Sequence, residues 1–177
     1  MKIDKVFCPP MAALECASAV MIARLHSAIY QEIPMPSLSL ERANTIIAGA
    51  FAKAAELKLK PLAVSVFDAG GNLKAFQRQD GTSILRFEIA SGKAFGALAV
   101  GTGSRWLHNQ AKDRPHFLEG LSGVSGGKIV PVPGGVLIKD AAGEILGAVG
   151  ISGDTSDNDE IAAIAGIEGA GFASDAG

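Results

Sequence analysis

Apolar residues recur at intervals of three and four through Ala43, Ile46, Ile47, Ala50, Phe51, Ala54 and Leu57, so a helix with one buried face is predicted after Ser39. Ser39 suits its N-cap, and Glu41 falls in the first turn, where the helix dipole favours a carboxylate. An earlier helix is predicted from about Met11 to Gln31, bracketed by Pro9-Pro10 and by Pro34 and Pro36. The runs Leu62–Asp68 and Leu73–Arg78, joined through Gly70-Gly71-Asn72, read as a β-hairpin. A third helix is expected over Ile84–Val100, carrying Phe87, Ala90, Ala94, Phe95 and Leu98. Gly101–Gly127 reads as irregular, with at most a short helix around Arg105–Asn109. Three short strands follow, Lys128–Val132, Val136–Asp140 and Ile145–Ile151, with tight glycine turns that force antiparallel neighbours. A last helix starts near Ser156. The predicted order is α-α-β-β-α-β-β-β-α. This is an α+β fold, a five-stranded antiparallel sheet flanked by helices in a profilin-like layering.

Composition narrows the class. Of 177 residues, 48% are apolar and 19% charged, which is globular rather than disordered. The 16 Lys+Arg against 18 Asp+Glu leave a net charge of −2, with no basic stripe to displace counterions from nucleic acid. No repeat or linker divides the chain, so a single domain over 1–177 with an N-terminal helical extension, 1–36, is expected. Cys8 and Cys16 form no CxxC motif and read as reduced thiols. Pro9, Pro10, Glu15 and Arg24 break up or bracket the apolar stretch near the N-terminus, so a cytoplasmic protein is expected rather than a secreted one. No apolar run is long enough to span a membrane.

Several motifs fail on context. Gly123–Gly127 matches G-x-S-x-G, but a strand follows it and His116 precedes Ser125, the reverse of a nucleophile elbow. Ser122–Ile129 has the Gly-Lys of a phosphate loop without its first glycine, its Ser/Thr or its helix. Asp154, Asp157, Asp159 and Glu160 do not follow calcium-loop spacing and read as carboxylates at a helix N-terminus. His108 and His116 remain, flanked by Arg105, Trp106, Lys112, Arg114 and Phe117. Those types together suit haem: an imidazole for iron, a cation for a propionate, aromatics for the ring. The alternative is a histidine that is merely solvated or hydrogen-bonded, and for His26, beside Arg24, that alternative is stronger. No third ligand at metal spacing supports zinc.

Five ordered segments, Val66–Leu73, Phe76–Gly81, Ser91–Ala94, Gly126–Val136 and Ile145–Asp154 with Asp157–Glu160 after it, together resemble the GlcG/HbpS-like family, which includes the C-terminal domain of PduO-type proteins. The resemblance spans about residues 37–173. It implies the same five-stranded sheet, a homo-oligomer, haem binding and, for some members, haem degradation. Within those segments Asp68 reads as a cap of the hairpin turn, and Arg78 and Asp80 could pair or face a pocket. Lys93 interrupts a small, apolar helix surface, and Gly134, Gly135, Gly150 and Gly153 leave backbone open to close approach. The expected site is a pocket between the sheet ends and Gly101–Gly127, where Arg78, Lys93 and His116 converge on an anionic, partly apolar ligand. Gly134 and Gly135 would line it, and His116 or His108 would ligate haem iron. The rival reading is a cofactor-independent lyase, isomerase or hydrolase of a catabolic operon. It would act on a small organic acid with His116 as base and Lys93 as anion clamp. A third reading is a non-catalytic scaffold. These residues do not decide whether the chain is an enzyme.

Overall fold

The structure is a computed structural model that describes residues 37–177. The predicted Met11–Gln31 helix and His26 lie outside the described residues. The first described helix, α1 (Leu40–Glu56), begins where the periodicity places it, and the Ser39 hydroxyl accepts from the Arg42 N–H. Next come β1 (Ala63–Asp68) and β2 (Leu73–Arg78), paired as the expected hairpin. Asp68 Oδ1 accepts from the N–H groups of Gly70 and Asn72, so the carboxylate caps the turn. Helix α2 (Arg86–Val100) follows and stops at Gly101, whose φ of 73° suits a residue without Cβ.

Gly101–Gly127 is not irregular. It folds as α3 (Ser104–Asp113) and α4 (Pro115–Val124). Pro115 occupies the start of α4, where its missing N–H costs nothing. Lys128–Val132, expected as a strand, is not one. Pro131 and Pro133 remove two ladder donors, the Val130 N–H goes to Gly92 O of α2, and Val132 O is taken by the Ser104 hydroxyl. Strands β3 (Gly135–Lys139) and β4 (Ile145–Ser152) then form a second antiparallel pair, followed by α5 (Ser156–Gly169). The fifth strand is the short β5 (Ala173–Asp175), held against β3 by the Leu137–Asp175 register and by Lys139 Nζ donating to Asp175 at 2.6 Å.

The sheet order is β2-β1-β4-β3-β5, antiparallel throughout. Alternation sends Val64, Val66, Val136, Ile138, Val149 and Ile151 to one face, where they meet Ile46 and Ile47 of α1 and Ala162 and Ile167 of α5. Phe67, Leu137 and Ala148 face the other way, onto Ala94 and Ala97 of α2. A five-stranded antiparallel sheet covered by helices on both faces is thus the architecture, as the element pattern implied. Among the described residues, no helix is long and apolar enough to cross a membrane.

Candidate functional site

Helix α2 turns two different faces to its surroundings. Phe87, Ser91 and Phe95 recur every four residues and, with Glu88, Ile89 and Gly92, form one wall of a cleft of about 490 Å³. Phe67 and Gly71, from the end of β1 and the hairpin turn, and Gly127, Lys128 and Val130 complete the lining. This volume lies within the ~300–1,000 Å³ usual for small-molecule sites. Phe87 is braced edge-to-face by Phe76 at 4.8 Å between centroids. Lys128 Nζ sits 5.5 Å from the Phe95 ring centroid. At the floor the Ser91 and Ser65 hydroxyls share a hydrogen bond of 3.2 Å. Gly92 sets how closely the 128–130 segment approaches, because a Cβ there would lie 2.6 Å from Val130 Cγ2 and 2.9 Å from Lys128 O.

The cleft is therefore an aromatic and aliphatic slot carrying one cation, Lys128, one carboxylate, Glu88, and one hydroxyl, Ser91. Such a lining can hold a flat apolar body and pair with an anionic group. Among the described residues no group of three His, Cys, Asp or Glu side chains could hold a metal ion.

The other face of α2 carries Lys93, and it is not part of the cleft. Its side chain is 2% exposed and donates to Asp159 Oδ2 at 2.8 Å, while Asp159 Oδ1 accepts from the Asp154 N–H. Burial pushes the Lys93 ammonium pKa down and the Asp159 carboxyl pKa up, opposing their mutual attraction. Gly134 closes over the pair, since a Cβ on it would lie 3.0 Å from Lys93 Nζ. Gly135 packs on the Lys93 backbone and donates its N–H to Ser104 Oγ at 2.8 Å. The structure thus joins Lys93, Gly134 and Gly135, but around an internal carboxylate.

The remaining expected residues stand elsewhere. Arg78 is exposed at the end of β2, His116 is exposed beside Pro115 at the start of α4, and His108 is half-buried on α3. None of the three lines the cleft. The acidic group at the start of α5 is engaged by the protein itself. Arg105 donates to Glu160 at 2.9 Å and to Asp157 at 2.6 Å. Asp154 accepts from the N–H groups of Lys60 and Thr155 and from the Asn158 amide, which lowers its pKa to about 2. The sequence alone does not mark the lining as a site; its side chains of chemical interest are Phe67, Phe87, Glu88, Ser91, Phe95 and Lys128. The four-residue spacing of Phe87, Ser91 and Phe95 is the signal for the helical wall; Phe67 and Lys128 carry no such signal.

With the fold and the cleft in view, comparison with known proteins decides the family. The model of haem degrading proteins of the HbpS-like type matches residues 38–168, most of the chain. The chain belongs to the HbpS-like family. One relative in that company is an uncharacterised 15.0 kDa protein from the dhaT-dhaS intergenic region of Citrobacter freundii, 31% identical over 127 residues, covering 72% of this chain and 87% of that protein. The corrinoid adenosyltransferase PduO of the same organism is 33% identical over 126 residues, covering 71% of this chain but 37% of PduO. A crystal structure of a PduOC–haem complex superposes with a TM-score of 0.70 at 28% identity, over 77% of this chain and 97% of that one.

Proposed function

We propose that this HbpS-like chain binds haem in the cleft between α2, the β1–β2 hairpin and the 128–130 segment. The aromatic lining carries the reading. Phe67, Phe87 and Phe95, with Ile89 and Val130, offer an apolar slot for a flat macrocycle, and Lys128 stands where a propionate could pair with it. The family match and the haem-bound PduOC neighbour support the same ligand class. Haem, when bound, supplies the redox chemistry of its iron. The residues of this chain hold the ring, exclude water from its faces and fix its carboxylate edge. The slot fits the ring and a carboxylate, and no histidine stands among its lining residues.

A homo-oligomer forms part of the same proposal. Leu73, Ile84 and Leu85 are exposed apolar side chains on the segments that flank the cleft, with Ile84 83% exposed. Sedimentation velocity gives the subunit number directly.

Haem titration followed by the Soret band tests the binding site. Lys128→Glu reverses an exposed charge without touching the core and is expected to weaken haem roughly tenfold, the removed attraction and the added repulsion each being worth up to ~1 kcal/mol. Haem affinity unchanged in both Lys128→Glu and Phe95→Ala would remove this cleft as the site.

A further inference from the structure

We infer that Ser104 is a positioning residue of the cleft: its buried hydroxyl fixes the 128–132 wall and, through it, Lys128 and Val130. The inference rests on the haem reading of that cleft and adds a residue outside its lining.

The wall has little else to hold it. Pro131 and Pro133 bring no N–H, and the segment pairs with no strand. Among the described residues, two hydrogen bonds tie 128–133 to other elements. The Val130 N–H donates to Gly92 O of α2 at 3.2 Å, and Ser104 Oγ donates to Val132 O at 2.8 Å. The Val132 N–H, bonded to Val130 O at 3.0 Å, links the two tethers. Pro131, between them, has a fixed φ and absorbs little rotation. A shift of Val132 is therefore passed on to Val130 and Lys128, which line the cleft.

Ser104 is itself held still. It is fully buried, and its hydroxyl also accepts from the Gly135 N–H at 2.8 Å, where β3 begins. It opens α3 yet makes no capping bond to that helix. The first turn is instead fixed from outside. The Arg105 N–H donates to Ala176 O at 3.2 Å, and the Arg105 guanidinium reaches Glu160 and Asp157 of α5. One hydroxyl thus joins α3, β3 and the wall, donating once and accepting once. A methyl in its place removes both bonds and frees the wall at one end. A group that locks contact residues in this way governs affinity without touching the ligand.

The experiment titrates the full chain with haem, followed by the Soret band, for the unaltered protein, Ser104→Ala, Lys128→Ala and the double variant. Ile47→Ala, a core truncation on the opposite face of the sheet, controls for stability alone. Hydrogen exchange on the haem-free proteins reads the wall directly. Ser104→Ala is expected to weaken haem about three- to tenfold, the range of a lost hydrogen bond, and to quicken exchange at the Val130 N–H by about tenfold or more. Ile47→Ala is expected to lower the melting temperature and leave haem affinity within about twofold. Lys128→Ala is expected to cost about two- to fivefold alone and less than about twofold in the Ser104→Ala background, because a displaced Lys128 has less to lose. Unchanged haem affinity or unchanged Val130 exchange in Ser104→Ala overturns the inference. So does an equal loss of affinity in Ile47→Ala, or losses that simply multiply in the double variant. If Ser104→Ala does not fold, Ser104→Cys, whose thiol is a weak donor and acceptor, takes its place in the same comparison. An unaltered chain that binds no haem, with Val130 exchange still quickened in Ser104→Ala, overturns the haem reading and leaves the hold of Ser104 on the wall.

Discussion

Lys93 shows how a single residue can look functional and serve the fold. A lysine among small and apolar neighbours suggested an anion clamp, yet its ammonium is closed off by Gly134 and satisfied by Asp159 at 2.8 Å. Breaking a buried pair leaves an uncompensated charge, so Lys93→Met or Asp159→Ala alone is expected to cost about 3–5 kcal/mol in denaturant melts. The double variant Lys93→Met/Asp159→Leu is expected to recover most of that loss, because both members are already pushed towards neutrality by burial. Asp154 makes the opposite case, an exposed carboxylate with a definite pH signature. Its folded pKa, about 2, lies below the unfolded value of 3.8, so its stabilisation is present above pH 4 and is lost as pH falls from 4 through 2. Asp154→Ala is accordingly expected to melt below the unaltered protein at pH 7 and level with it near pH 2.

Close approach between elements depends on missing side chains. Helix α2 crosses β4 at Gly150, where a Cβ would run into the Ala90 carbonyl, and α1 meets α5 at Gly166, where it would press on Ile46 O at 2.5 Å. Gly120, inside α4, has nothing within 4 Å of its Cβ position. The same substitution must therefore have opposite signs. Gly150→Ala is expected to destabilise by about 3 kcal/mol, the upper end for overpacking, since the obstruction is backbone that cannot change rotamer. Gly120→Ala is expected to stabilise by roughly 0.5–1 kcal/mol through helix propensity alone. Thermal melts of the two variants check both. Element type was legible where one period dominated, as in α1 and the β1–β2 hairpin. It was partly legible in α3, where the short helix expected around Arg105–Asn109 lies inside Ser104–Asp113, and illegible in α4, whose glycines Gly120 and Gly123 lower helix propensity while Phe117 and Leu118 supply an apolar face.

At the scale of the molecule, the local pattern of the chain determined which strands pair as hairpins, that the sheet is antiparallel and that helices cover it. Those outcomes follow from period, turn length and the need to bury a face, all properties of neighbouring residues. Tertiary structure decided the fifth strand. Lys128–Val132 has strand-forming residues, but its prolines cannot feed a ladder and α2 claims Val130, so Ala173–Asp175 takes the sheet edge instead. Tertiary structure also decided where the candidate cleft lies. Whether a cation or an aromatic ring on α2 points to sheet, solvent or cleft depends on where the helix lies against segments far away in the chain. Helical period alone puts Lys93 and Phe95, two residues apart, on opposite faces of α2; the packing of α2 decided that the Lys93 face meets Asp159 and the Phe95 face the cleft.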